Sequence, residues 1–188
     1  MNDTVQTAEP AGLKFDTQSA LPPEETERLG TDIVAALKTV FDPEIPVLTI
    51  RDLGIIRDVV QHPDGEVEVV ITPTYSGCPA MHMIEVNIRA ALQEAGFNKT
   101  RVTTVLSPAW TTDWLSADGR RKLAEYGIAP PAEASQDKKA LTGEHRALEC
   151  PFCHSTRTEM VSQFGSTACK ALFKCLDCLE PFDYFKCI

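Results

Sequence analysis

The chain has 188 residues, 43% of them hydrophobic and 24% charged, with a formal net charge of -9. This composition suits one good core with a small appended module, and it excludes a fibrous or low-complexity chain. The acidic balance is a poor match for polyphosphate, so no nucleic-acid partner is expected. With no apolar run near the roughly 20 residues of a membrane span and no signal-like start, a cytoplasmic protein without a membrane partner is expected.

Residues 1–21 mix Ala, Thr, Pro, Gly and Gln without periodicity and read as a flexible tail. From Pro22 the pattern changes. Acidic residues come first, and Leu29, Ile33, Val34, Leu37 and Phe41 follow at helical spacing, which predicts a helix over about Pro23–Thr39. Two prolines in "DPEIPVLTIRDLG" then end the helix and leave a loop carrying Asp42, Glu44 and Asp52. The β-branched runs "IIRDVVQH" and "VEVVITPT", joined by "PDGE", predict a hairpin over about Gly54–Thr72.

A second helix is expected after Cys78, with Met81, Ile84, Ile88, Ala91, Leu92 and Ala95 on one apolar face and Glu85, Arg89 and Gln93 opposite. "RVTTVLS" supplies a third strand. "PAWTTDWLSADGRRKLAEYG" supplies a helical turn and then a helix from about Ser116 to Tyr126, closed by Gly127. The order α-β-β-α-β-α predicts a small α/β sandwich with helices over a mixed sheet across residues 22–128. "IAPPAEASQDKKALTGEHR" reads as a linker over 129–147, and residues 148–188 as a β-rich zinc-ribbon module. A sheet this small leaves a strand edge through which the chain could form a homo-oligomer.

Six of the seven cysteines lie between positions 150 and 187, and the seventh, Cys78, stands alone. "CPFC" (Cys150, Cys153) and "CLDC" (Cys175, Cys178) are two C-x-x-C pairs 21 residues apart. In a cytosolic chain such pairs point to metal rather than disulfides, and four soft ligands suit tetrahedral zinc. Rubredoxin-like iron, a labile iron-sulfur site and metal-free thiols are the alternatives. A module of about 40 residues has too little core to fold alone, so the metal is expected to act as a structural staple. Cys169 and Cys187 fall outside this set. Each is expected to be a small buried hydrophobe, with transient ligation of a second metal as the rival reading. His154 adjoins Cys153, but four cysteines already complete a site; His62, His82 and His145 have no partners at ligand spacing.

Pro79 suits a first helical position, which would put Cys78 at the N-cap, where the helix dipole and free N–H groups lower a thiol's pKa. Asp42 and Glu44 lie on a loop that could be brought beside this turn, giving an oxygen and sulfur surface able to hold iron transiently. The competing reading makes Cys78 a buried inert residue and the Asp-Pro-Glu loop a turn braced by its own carboxylates. No histidine is placed to activate Cys78 as a nucleophile.

"DPEIPVLTIRDLGIIRDV" and "ITPTYSGCPAM" together resemble the domain shared by cytosolic iron-sulfur targeting factors and bacterial cluster-assembly relatives. "CPFC", "FGSTACKALFKC" and "CLEPFDYFK" narrow the resemblance to the family of D subunits of the bacterial phenylacetyl-coenzyme A epoxidase system. The family's D-P-E-x-P element falls on Asp42, Pro43, Glu44 and Pro46, and its D-L-G element on Asp52, Leu53 and Gly54. Its T-x-x-x-x-G-C-P element falls on Thr72, Gly77, Cys78 and Pro79. The resemblance implies that Cys78, with Asp42, Glu44 and Thr72, handles iron or an iron-sulfur cluster.

It further implies an accessory factor without catalysis of its own, supporting metal-centre maturation in another epoxidase subunit during aerobic phenylacetate breakdown. The candidate recipients are the di-iron oxygenase subunit and the reductase, which carries flavin and an iron-sulfur cluster. The chain has neither a G-x-G-x-x-G nor a paired E-x-x-H, so it shows no signature of its own for that chemistry. Two alternatives stand beside this reading, a scaffolding subunit of the same complex and, weaker on charge, a nucleic-acid-binding ribbon protein.

Overall fold

The computed structural model describes residues 30–131 and 148–186. The expected tail, the start of the first helix, residues 132–147 of the expected linker, His145 and Cys187 lie outside the described residues.

The first described helix, α1, spans Thr31–Leu37 and buries Ile33, Val34, Ala36 and Leu37, with Asp32 in the first turn where the dipole favours an acid. It stops short of the predicted Thr39. Thr39 instead turns back, its Oγ1 donating to the Ala36 carbonyl at 2.8 Å. After the loop come β1 (Ile56–Gln61) and β2 (Val67–Ile71), paired antiparallel, and β3 (Thr100–Thr104) pairs parallel with β2. The sheet is therefore mixed, in the order β1-β2-β3.

Alternation in β2 buries Val67, Val69 and Ile71 under the helices. Glu68 points the other way and accepts hydrogen bonds from Thr103 Oγ1 (2.8 Å) and Arg101 Nη2 (3.1 Å), so the opposite face is polar. Between β2 and β3 runs α2 (Ala80–Glu94), whose Ile84, Ile88 and Leu92 are buried at the predicted three-and-four spacing. Ala95, expected on that face, is the exposed C-cap, because the helix ends one residue before it.

A 3-10 turn at Thr112–Trp114 leads into α3 (Ala117–Glu125), capped by Ser116, whose Oγ accepts from the Gly119 N–H at 2.9 Å. Gly54 is required just before β1. Its φ is +66°, and a Cβ there would lie 2.1 Å from the Trp114 carbonyl oxygen.

The second sheet departs from the expected layout. Ile128–Ala129, read from sequence as the domain's end and the linker's start, form a strand, β4. It pairs parallel with β7 (Pro181–Phe185), and the sheet runs β4-β7-β6-β5 with β6 at Lys170–Cys175 and β5 at Thr158–Ser162. A two-residue strand carries no periodicity, which is why composition alone reads it as linker.

The two sheets also share packing. Phe185 and Cys169 are buried in the core of the α/β part, whereas Ala171, Phe173, Cys175, Phe182 and Tyr184 form the ribbon's own cluster with Cys150 and Ala129. Among the described residues no helix is long and apolar enough to cross a membrane.

Candidate metal and cargo-handling sites

The four ribbon cysteines converge. The Sγ atoms of Cys150, Cys153, Cys175 and Cys178 all lie within 4.8 Å of one another, with Cys150–Cys178 at 3.7 Å and Cys153–Cys175 at 3.5 Å. A tetrahedron with Zn–S near 2.3 Å has edges of about 3.8 Å, so the donor set fits a tetrahedral sulfur-bound ion closely.

The two loops that supply the donors repeat each other. Cys150 N–H donates to the Ser155 carbonyl (2.9 Å), as Cys175 N–H does to that of Glu180 (3.0 Å). The residue after each pair, His154 (φ 62°) and Leu179 (φ 66°), sits in the left-handed region without being glycine. Backbone strain of this kind persists where surrounding bonds over-determine the loop, and a bound metal would do so. The Cys178 and Asp177 N–H groups favour the thiolate of Cys175 and help hold its pKa down at about 6. His154 is turned away onto Glu149, with Nδ1–Oε1 at 2.7 Å.

The second site lies where the ribbon meets the α/β part. Asp42 is buried, and its Oδ1 accepts the N–H groups of Glu44 and Ile45, each at 2.7 Å. One carboxylate oxygen therefore braces the Asp-Pro-Glu turn. Asp52 is committed more fully. Its Oδ2 accepts from Thr49 N–H (2.9 Å), Thr49 Oγ1 (2.8 Å) and Lys122 Nζ (2.7 Å), and its backbone carbonyl accepts from Ser116 N–H. Burial alone would raise its pKa, but these donors together hold the carboxyl below its ordinary value. With Leu53 accepting from Trp110 Nε1 (2.8 Å) and Gly54 under Trp114, the Asp-Leu-Gly element is a structural tie to α3.

Cys78 is half-buried and packs on the core directly before Pro79 and α2. Pro79, not Cys78, is the N-cap, and the expected lowering of the thiol's pKa does not occur. Burial raises it, the Ala80 N–H opposes this, and the negative charges of Glu44, Asp42 and Cys169 raise it further. The helix terminus is present; desolvation and like charge outweigh it. The Tyr75 phenol is itself pushed up to about 12, by burial first and then by the charges of Cys78, Cys169 and Glu44. Thr72 is buried at the end of β2, and among the described residues its hydroxyl has no hydrogen-bond partner.

The structure thus brings Cys78, Asp42 and Glu44 into one electrostatic neighbourhood and adds two residues that sequence reasoning did not place there, Cys169 and Lys170. The available signal was the Cys-Lys pair in "STACKAL", a lysine directly after a cysteine outside the C-x-x-C set.

The structure thus joins an α/β part carrying this loop and thiol to a ribbon with a four-cysteine cluster fit for a metal. Consistent with it, residues 30–105 match the family model described as iron-sulfur cluster assembly protein, and residues 134–186 match the PaaD zinc beta ribbon domain. The chain is 53% identical, over 84% of its length and 92% of the relative, to the Escherichia coli protein named as the D subunit of "Putative 1,2-phenylacetyl-CoA epoxidase". It belongs to that family of epoxidase D subunits.

More distant relatives match about half of the chain. A Porphyromonas gingivalis protein named Fe-S protein maturation auxiliary factor is 37% identical over 49% of this chain and 88% of its own. The Bacillus subtilis Fe-S protein maturation auxiliary factor YitW is 37% identical over 48% of this chain and 88% of its own.

Proposed function

We propose that this protein is a non-catalytic maturation factor of the phenylacetyl-CoA epoxidase system, supporting delivery of iron or an iron-sulfur cluster to another subunit through Cys78. The observation that carries the reading is the placement of Cys78 against the core beside Asp42 and Glu44, with acidic groups around a thiol that burial keeps protonated at rest. Such a thiol is a poor nucleophile and a reasonable acceptor of a soft cation, which displaces its proton on binding. The family membership and the maturation-factor names of the relatives that match about half of the chain support the same reading.

The four-cysteine site is proposed to hold zinc in a structural role. Its ligands are Cys150, Cys153, Cys175 and Cys178, and the ion joins two loops whose own strands bury few apolar side chains.

The test is to co-express the epoxidase subunits with wild-type protein or with Cys78→Ser and measure their iron and sulfide. Reduced loading with Cys78→Ser is the expected result, and undiminished loading and activity contradict the delivery role. A scaffolding role is the second reading, favoured by the commitment of the Asp42 and Asp52 oxygens to bracing turns. It expects Cys78→Ser to be harmless and Cys150→Ser to abolish association with the other subunits.

A further inference from the structure

Arg57 is set apart by the register of β1. Ile56 stands opposite Ile71 and Asp58 opposite Val70, so the strand bulges at Arg57, which has no partner residue on β2. A bulge of this kind bends the strand and re-aims the extra side chain. Here the guanidinium lies over the indole of Trp114, with Cζ 3.7 Å from the ring centroid. The indole is itself held. Trp114 ends the 3-10 turn Thr112–Trp114, and its N–H donates to the Thr111 carbonyl at 3.0 Å. The Thr112 carbonyl accepts Arg120 Nη2 at 2.7 Å, and the Trp114 carbonyl occupies the space that Gly54 leaves open.

Stacking uses a face of the guanidinium and leaves its N–H groups free in the plane. Elsewhere in the chain those groups are spent on acids. Arg89 meets Glu85 at 2.7 Å, Arg101 meets Glu68 at 3.1 Å, Arg121 meets Glu125 at 2.7 Å and Arg157 meets Asp177 at 2.9 Å. Among the described residues Arg57 pairs with no carboxylate and no hydrogen-bond acceptor; burial pulls its pKa below the ordinary value, with no acid to oppose it. A cation taken partly out of water without a counter-charge gains from an anion brought to it.

Charge selects the anion. One guanidinium matches one carboxylate, through two parallel N–H···O bonds. Asp58 follows Arg57, Asp113 precedes Trp114, and the chain carries a net charge of -9, so a doubly charged phosphate meets more repulsion here than a carboxylate does. β1 is an edge strand in the order β1-β2-β3, so among the described residues no further strand pairs on its outer side. A single pair of this kind is too weak to retain a small free acid at low concentration. It suits an anchor inside a wider protein contact, where arginine is a favoured hot-spot residue.

We propose that Arg57, laid on Trp114, is a docking anchor for one Asp or Glu carboxylate of another epoxidase subunit. The inference rests on the reading that this protein acts on such a subunit, and it names how the two meet. It does not depend on Cys78.

Two measurements on the full chain and the co-expressed epoxidase subunits test this. In the first, the wild type, free and in complex, is treated with phenylglyoxal, and the modified arginines are mapped by mass spectrometry. Arg57 is expected to react in the free chain and to be protected severalfold in the complex. No reaction in the free chain, or equal reaction in both, overturns the proposal. This arm needs no substitution, so it holds even where a variant folds poorly.

In the second, association is measured for Arg57→Met, which keeps an apolar stem over Trp114, and for Arg57→Lys, which keeps the charge without the fork; the Tm of each is checked. Arg57→Met is expected to weaken association about fivefold or more and Arg57→Lys to weaken it less, while Cys78→Ser associates as the wild type does. Carbodiimide coupling, which joins an amine to a carboxylate with loss of water, should then link position 57 of Arg57→Lys to an Asp or Glu of the other subunit. Wild-type affinity in Arg57→Met, or no link at position 57, overturns the anchor and leaves the Cys78 reading standing. A wild type that associates with none of the epoxidase subunits overturns both.

Discussion

Phe185, in the last strand of the ribbon sheet, meets Trp110 of the α/β part edge to face, with ring centroids 6.1 Å apart at 83°. Both rings are buried, and the Trp110 indole is fixed by its hydrogen bond to Leu53. The contact makes the ribbon part of the main core. Phe185→Ala is expected to cost about 3–5 kcal/mol and to lower the stability of both parts together. Denaturant unfolding followed by tryptophan fluorescence and by release of the ribbon's metal should show one shared transition at a lower midpoint; an unmoved fluorescence transition would mean that the modules fold independently.

Asp52 ties the loop before β1 to α3 through Lys122 and Ser116. Asp52→Asn removes a charge-assisted bond and is expected to cost about 2 kcal/mol. Because the folded carboxyl titrates below its ordinary value of 3.8, its contribution is complete above that value and is lost as pH falls through the lower folded one. Wild type should therefore lose stability more steeply than Asp52→Asn as pH drops from about 5 to about 3, measured by urea midpoints. Parallel curves would show that Asp52 is not the group responsible.

Removing the metal from the four-cysteine site is expected to loosen β5–β7 and, through Phe185 and β4, the α/β part as well. A strong chelator should lower the Tm by on the order of 10 °C or more, and Cys150→Ser should match the chelated wild type. A chelated protein that melts at the wild-type temperature would contradict the staple role.

The thiol of Cys78 sits above its ordinary pKa of 9.0, and Glu44 is the charge that acts on it most strongly, after burial and the Ala80 N–H. Below that pKa the group is a neutral thiol, so alkylation by iodoacetamide at about pH 8 should be slower than for free cysteine and should accelerate as pH rises past about 9. Glu44→Gln removes a like charge and should speed the reaction severalfold at the lower pH, read by peptide mass spectrometry. An unchanged rate would show that Glu44 does not act on the thiol.

Long periodic patterns carry over directly from sequence to structure. Ile84, Ile88 and Leu92 on α2, and the alternating Val67, Val69 and Ile71, are buried as their spacing predicts. The four C-x-x-C cysteines meet as expected, since two tight loops leave their ligands little choice. What escapes a sequence reading depends on contacts remote along the chain. Ile128 and Ala129 become a strand through pairing with Asp183 and Tyr184, and nothing local announces it. The direction of the Cys78 pKa escapes for the same reason: the helix end is visible in "CPAM", whereas the burial and the carboxyls of Asp42 and Glu44 that outweigh it arrive with the tertiary fold.

The most direct test of the central claim is the iron and sulfide content of the epoxidase subunits purified after co-expression with Cys78→Ser, set beside wild type and a strain lacking this protein. The account predicts that Cys78→Ser, with the metal of its four-cysteine site retained, falls to the level of the strain lacking the protein. Full iron and sulfide in those subunits, with full epoxidase activity, would contradict it.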